Sequence, residues 1–161
     1  MSKAMKEKII STKIEVLSYD ELSAQDKDLI DKAKEATATA YTPYSKFHVG
    51  AALLLSNGEI VTGSNQENAA FPSGTCAERS ACFYAAARYP KSKFKAIAIA
   101  ARGTDGEFTP VPTAPCGACR QALLEYEVLA GEPVPVILAG RDVIYRLPSV
   151  IASLPFAFVE F

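Results

Sequence analysis

The sequence is poor in histidine and cysteine and carries no excess of either charge. One His among 161 residues excludes a three-histidine metal site and a His-Glu-x-x-His motif. Any zinc here must then be held mainly by the four cysteines. Lys and Arg number 17 against 18 Asp and Glu, a net charge of −1. That balance leaves no basic footprint for wrapping nucleic acid and no Lys/Arg-rich helix for an anionic membrane. No apolar run approaches the length of a transmembrane helix, and residues 1–8 are too charged for a signal peptide. Together these absences predict a cytoplasmic protein. Four cysteines would suffice for two disulfides, but nothing suggests secretion, and a chain of this length needs no staples.

What is present suits one globular domain spanning 1–161, with 49% hydrophobic and 22% charged residues. Lys13 to Leu17 turn apolar and β-prone, so residues 1–17 are expected to form an arm or short strand. Ser18 and Glu21 have capping-box spacing. Leu29, Ala33, Ala36 and Ala40 recur at helical intervals, which predicts a helix over 24–41, ended by Pro43. Strands are expected over 47–55 and 60–64, joined by a tight turn at Asn57-Gly58. A helix over 76–89 and a strand over 94–101 follow. The strand is apolar on both faces, as in the middle of a covered sheet. Residues 102–115 read as a long loop, 116–130 as a third helix and 134–140 as a strand that Pro135 starts or places at an edge. A strand near 143–145 and a short helix over 149–154 close the chain. The order predicts an α/β fold: a three-layer α/β/α sandwich around one mixed sheet.

Two segments carry chemistry: Thr75-Cys76-Ala77-Glu78-Arg79 and Pro115-Cys116-Gly117-Ala118-Cys119-Arg120-Gln121. Each opens an expected helix, where free backbone N–H groups and the helix dipole favour thiolates. Two such starts meeting at one point would hold one zinc through Cys76, Cys116 and Cys119. The fourth position would stay open, as in catalytic sites. Glu78 would reach water at that position without binding the metal. Other readings stand beside this one. Thr75 and Glu78 also have capping-box spacing. Cys116-x-x-Cys119 alone fits a redox pair, which would exchange thiols and disulfides and hold no stoichiometric zinc. A structural zinc protein would use all four cysteines, Cys82 included. Six helical positions place Cys82 well round the helix from Cys76 and over a turn and a half along it, so burial as a small hydrophobe is the expected fate.

Cys-Ala-Glu followed by Pro-Cys-x-x-Cys is the pattern of zinc nucleobase deaminases with Cys in the place of His. At these residues the chain resembles the cytidine deaminase family. The resemblance extends to Tyr41-Thr42-Pro43-Tyr44-Ser45-Lys46-Phe47 with Val49 to Leu53, to Asn65-Gln66-Glu67-Asn68-Ala69, and to Leu154-Pro155-Phe156-Ala157-Phe158. It implies zinc-dependent hydrolysis of cytidine or deoxycytidine to uridine or deoxyuridine plus ammonia, in pyrimidine salvage. It implies Glu78 as the proton carrier, Phe47 against the pyrimidine, and Asn65 and Glu67 on ribose hydroxyls. Ala77 would offer its N–H to the base carbonyl, and Phe158 would reach a neighbouring subunit's site in a homotetramer. Arg79 and Gln121 are candidates for hydrogen bonds to the thiolate sulfurs. The resemblance assigns no chemistry to His48.

The chain also departs from the family's pattern. Forty residues separate Cys76 from Cys116, a longer interval than in compact members, and the surplus fits the 102–115 loop. Phe71 stands where many members carry Tyr, and Pro72 where Gly is usual; both bear on substrate preference. A deaminase of a blasticidin-type nucleoside would keep the same zinc motifs, but Asn65-x-Glu67 favours an ordinary ribose. A polynucleotide deaminase would need a basic groove.

Overall fold

The computed structural model describes residues 6–159, so the first five residues of the expected arm lie outside it. The order is β1 (Glu15–Leu17), α1 (Ala24–Ala36), β2 (His48–Leu55), β3 (Ile60–Ser64), α2 (Ala77–Arg88), β4 (Phe94–Arg102), α3 (Gly117–Ala130), β5 (Val136–Ala139) and β6 (Ile144–Leu147). The six strands form one sheet in the order β1-β6-β5-β4-β2-β3. Only β4 and β5 run parallel, so the sheet is mixed as expected.

Strand alternation divides the core into two layers. Ala51, Leu53, Leu55, Ile97, Ile99, Val136 and Leu138 face α2 and α3, where they meet Ala81, Cys82, Leu123 and Leu124. Ala52, Leu54, Ala98, Ala100, Ile137 and Ala139 face α1 and its Leu29, Ile30 and Ala33. Burying each of the larger aliphatic side chains contributes about 1.5–3 kcal/mol. Both faces of the sheet are covered, which is why β4 carries no polar alternation. Glycine sets how closely the helices approach. A Cβ at Gly63 would meet Ala81 N at 2.5 Å and Ala77 O at 2.6 Å, so α2 lies directly on β3 there. A Cβ at Gly50 would collide with the backbone of α1 on the other face.

Several boundaries differ from the sequence reading. α1 ends at Ala36, and Thr37–Thr39 tighten into a 3-10 turn before Pro43. The Thr37 and Thr39 hydroxyls bond back to Lys34 O and Ala36 O, which competes with continued helix. Pro135 precedes an interior strand, with its carbonyl accepting from Ile97 N–H. The last helix is a single 3-10 turn, Ile151–Ser153. The expected strand in residues 1–17 is β1 at the sheet edge, tied down by Arg146, which pairs with both Glu15 and Asp26. The long loop after β4 folds back on itself, with Gly103 N bonded to Glu107 O and Thr109 N to Ala101 O. It is then pinned to the β5–β6 turn by Arg141 N and Asp142 N.

One buried charge organises the end of the chain. Glu127 lies on the apolar stripe of α3 with Leu123, Leu124 and Ala130. Its carboxylate accepts from Val134 N (2.8 Å), Val150 N (2.6 Å) and Ile151 N (3.1 Å). Glu127→Ala would leave these N–H groups without an acceptor. We expect a loss of about 3 kcal/mol in urea unfolding, since each buried unsatisfied group costs about 1–3 kcal/mol. A loss under about 1 kcal/mol would show that water replaces the carboxylate.

Candidate active site and metal centre

Cys76 and Cys116 are the N-cap residues of α2 and α3, each in extended backbone conformation, and neither side chain caps its own helix. The alternative reading of Thr75 and Glu78 as a capping box does not hold, because the cap position falls on Cys76. Cys119 sits in the first turn of α3 and is fully buried. The two helix starts bring the three sulfurs within 4.8 Å of one another. Cys76 Sγ lies 3.9 Å from Cys116 Sγ, and Cys116 Sγ lies 3.5 Å from Cys119 Sγ. Three ligands of a tetrahedral zinc with Zn–S of about 2.3 Å would stand about 3.8 Å apart. The donor set therefore fits zinc in both chemistry and spacing. Cys82 is buried in the core beneath α2, outside this cluster, and burial pushes its thiol up to about 12.

The sulfurs share protons unequally. Cys76 is pulled down to about 5, first by a hydrogen bond from Cys119, with Arg79 and Cys116 adding to it against burial. Cys119 is pushed up, first by that same bond to Cys76, then by burial and by the charge of Glu78. Arg79 Nη2 lies 3.9 Å from Cys76 Sγ, and its own ionisation is held in place first by that thiolate. Glu78, the second residue of α2, is only 4% exposed. Burial pushes its carboxyl up to about 7, aided by the Cys76 charge and opposed by its own backbone N–H, Cys119 and Arg79. A carboxyl in that range can both accept and release a proton near neutrality.

A cleft of about 540 Å³ opens over Cys76 and Arg79. Asn65 and Glu67 line it, together with Tyr44, Ser45 and Phe71. Phe71 meets Tyr44 edge to face, with ring centroids 5.7 Å apart. Asn65 Nδ2 donates to Phe47 O (2.9 Å) and its Oδ1 accepts from Val49 N (2.8 Å), so Asn65 joins the cleft to the start of β2. Phe47 is half-buried at that junction. Ala77 is the first residue of α2, where helix geometry leaves its N–H without an intrahelical acceptor. His48 bonds to Thr42 Oγ1 and lies apart from the sulfurs.

Other polar and aromatic groups near the helix starts make contacts of their own. Gln121 gives its amide to the Phe158 backbone, donating to O at 2.7 Å and accepting from N at 3.3 Å, instead of to a sulfur. Arg120 donates to Pro115 O and Ser153 O. No residue of the 102–115 loop lines the cleft. Phe158 is 64% exposed on the α3 side and does not join its own chain's cleft. Sequence reasoning missed Tyr44 and Ser45 as cleft residues, although both lie in a motif it had singled out. It also missed Glu127, whose signal was a charge inside an apolar helical stripe.

Three clustered thiols able to hold a metal ion, with a buried carboxyl near them, suit a metal-assisted hydrolytic site. The family model for the cytidine and deoxycytidylate deaminase zinc-binding region matches residues 23–130. Cytidine deaminase from Sporosarcina psychrophila is 43% identical over 130 residues, covering 81% of this chain and 88% of its own length. The crystal structure of cytidine deaminase from Burkholderia pseudomallei superposes with a TM-score of 0.69 at 38% identity, covering 85% of this chain and all of that one. The enzyme from Mycobacterium tuberculosis gives 0.67 at 30% identity, covering 86% of this chain and all of that one. The chain belongs to the cytidine deaminase family, hydrolases whose cofactor is zinc.

Proposed function

We propose that the chain hydrolyses cytidine and deoxycytidine to uridine and deoxyuridine with release of ammonia, a step of pyrimidine salvage. One observation carries this reading: a buried carboxyl, Glu78, two residues past one of three clustered sulfurs. Cys76, Cys116 and Cys119 would hold the zinc. Bound zinc supplies Lewis-acid activation of water at neutral pH. Glu78 takes a proton from the attacking water and places it on N3 while the C4–O bond forms. It then passes the second proton to the amino group, the C4–N bond breaks and ammonia leaves. Three thiolates around zinc would leave the site net negative. Arg79 and the two helix N-termini offset that charge.

Phe47 packs on the pyrimidine, Asn65 and Glu67 bond the ribose hydroxyls, and the Ala77 N–H reads the base carbonyl. All of 1–161 acts as one domain, in the cytoplasm; among the described residues no helix is long and apolar enough to cross a membrane. Release of ammonia and uridine from cytidine by the zinc-quantified protein tests the reaction. A chain with one bound zinc and no turnover of either nucleoside would overturn it.

The assembly is a homotetramer in which Phe158 enters a neighbour's site. Its support is exposed apolar surface: Phe158 at 64%, with Phe83, Tyr84 and Leu129 also exposed on α2 and α3. Sedimentation at micromolar concentration is expected to give four chains of 17.2 kDa each. A monomer would remove Phe158 from the site.

A further inference from the structure

The segment before β2 holds a strained turn that none of the roles above explains. Lys46 has φ of 57°, the one positive φ at a non-glycine among the described residues. That left-handed conformation costs an L-residue roughly 1–2 kcal/mol. Lys46 N donates to Thr42 O (3.1 Å), closing the turn. Glu67 Oε2 accepts from the two preceding N–H groups, Tyr44 (2.9 Å) and Ser45 (3.2 Å). Ser45 Oγ in turn accepts from Phe47 N (3.0 Å). The Ser45 hydroxyl is also the largest influence holding the Glu67 carboxyl below its usual value, ahead of the two backbone N–H groups and the Lys46 charge, against burial. Across the strand, Asn65 Nδ2 donates to Phe47 O. Both backbone polar groups of Phe47 are therefore committed, one to Asn65 and one to Ser45. Ser45 thus joins the group proposed to pack on the base, through its hydroxyl, to the carboxylate proposed to bind the ribose, through its N–H.

We propose that Ser45 is a positioning residue: it locks the left-handed turn at Lys46, so that Phe47 and Glu67 are held in register before substrate arrives. This rests on the proposed substrate contacts of Phe47 and Glu67. The chemistry at C4 lies with Glu78, so Ser45 acts on binding and not on the bond-making step. Without its hydroxyl, the turn at Lys46 has less to hold it against its strain. Glycine adopts that backbone conformation at no steric cost.

The test is steady-state kinetics on cytidine with zinc-quantified protein. Ser45→Ala is expected to raise KM roughly five- to tenfold, the worth of one hydrogen bond, with kcat within about twofold. Ser45→Ala combined with Lys46→Gly is expected to bring KM most of the way back, because the strain is gone. Phe47→Ala and Glu67→Gln run alongside. If both leave KM unchanged, or the wild type does not turn over, the underlying reading falls and this inference with it. If both raise KM while Ser45→Ala does not, the inference alone is wrong. A Ser45→Ala defect that falls on kcat, or that Lys46→Gly does not relieve, also overturns it, because a merely structural loss would behave that way.

Discussion

Glu78→Gln is expected to bind one zinc per chain and to lose cytidine turnover by at least about 10²–10⁴-fold, the usual worth of a general acid–base group. The substitution keeps the size of the side chain, so the start of α2 and the Cys76 sulfur it presents should stay in place. What it removes is the transferable proton. The side chain sits at 4% exposure, so bulk water has little access to stand in for it. Burial is the main cause of its raised pKa, and the same burial makes it competent both to accept a proton and to release one. Metal analysis beside the rate measurement separates the two ways activity can vanish. Retained turnover with zinc bound would remove Glu78 from the mechanism.

Cys119→Ser is expected to lower zinc affinity by more than about 100-fold, a loss that removing a mere supporting partner already approaches. Activity should fall with the metal. Cys119 is buried in the first turn of α3, and its bond to Cys76 followed by burial pushes its thiol up. Metal binding must displace that proton, so the site depends on zinc to complete its own ionisation. Cys82→Ala is the matching control and is expected to keep one zinc per chain. Its thiol lies in the core against the sheet, outside the cluster of three sulfurs. Metal loss in Cys82→Ala with metal retained in Cys119→Ser would replace the open site with a different ligand set. Zinc measured by a chromogenic chelator reads both variants directly.

Most of the sheet was legible because its strands have simple physical signatures. β3 follows the Asn57-Gly58 turn, where Gly58 has φ of 86° and its N–H bonds to Leu55 O. β4 is apolar on both faces because α1 covers one and α2 with α3 the other. Helix ends were less legible. The end of α1 depends on hydroxyls bonding back to carbonyls, a local competition that periodicity does not report. The bonds between the Gln121 amide and the Phe158 backbone join residues 37 positions apart, which no local pattern reports.

The amino-acid sequence by itself determined the metal chemistry. One histidine and four cysteines leave thiolates as the donors, and only Cys76, Cys116 and Cys119 stand at helix starts. It also determined the layered sheet, since alternation and helical spacing are local properties of the chain. Tertiary structure alone decided what the polar side chains are bonded to. Asn65 and Glu67 reach back to the turn at 44–47, Gln121 closes on Phe158, and Glu127 gathers three N–H groups from two distant segments. A hydrogen bond between residues far apart in the chain depends on where the packed core places both partners, and no local pattern encodes that.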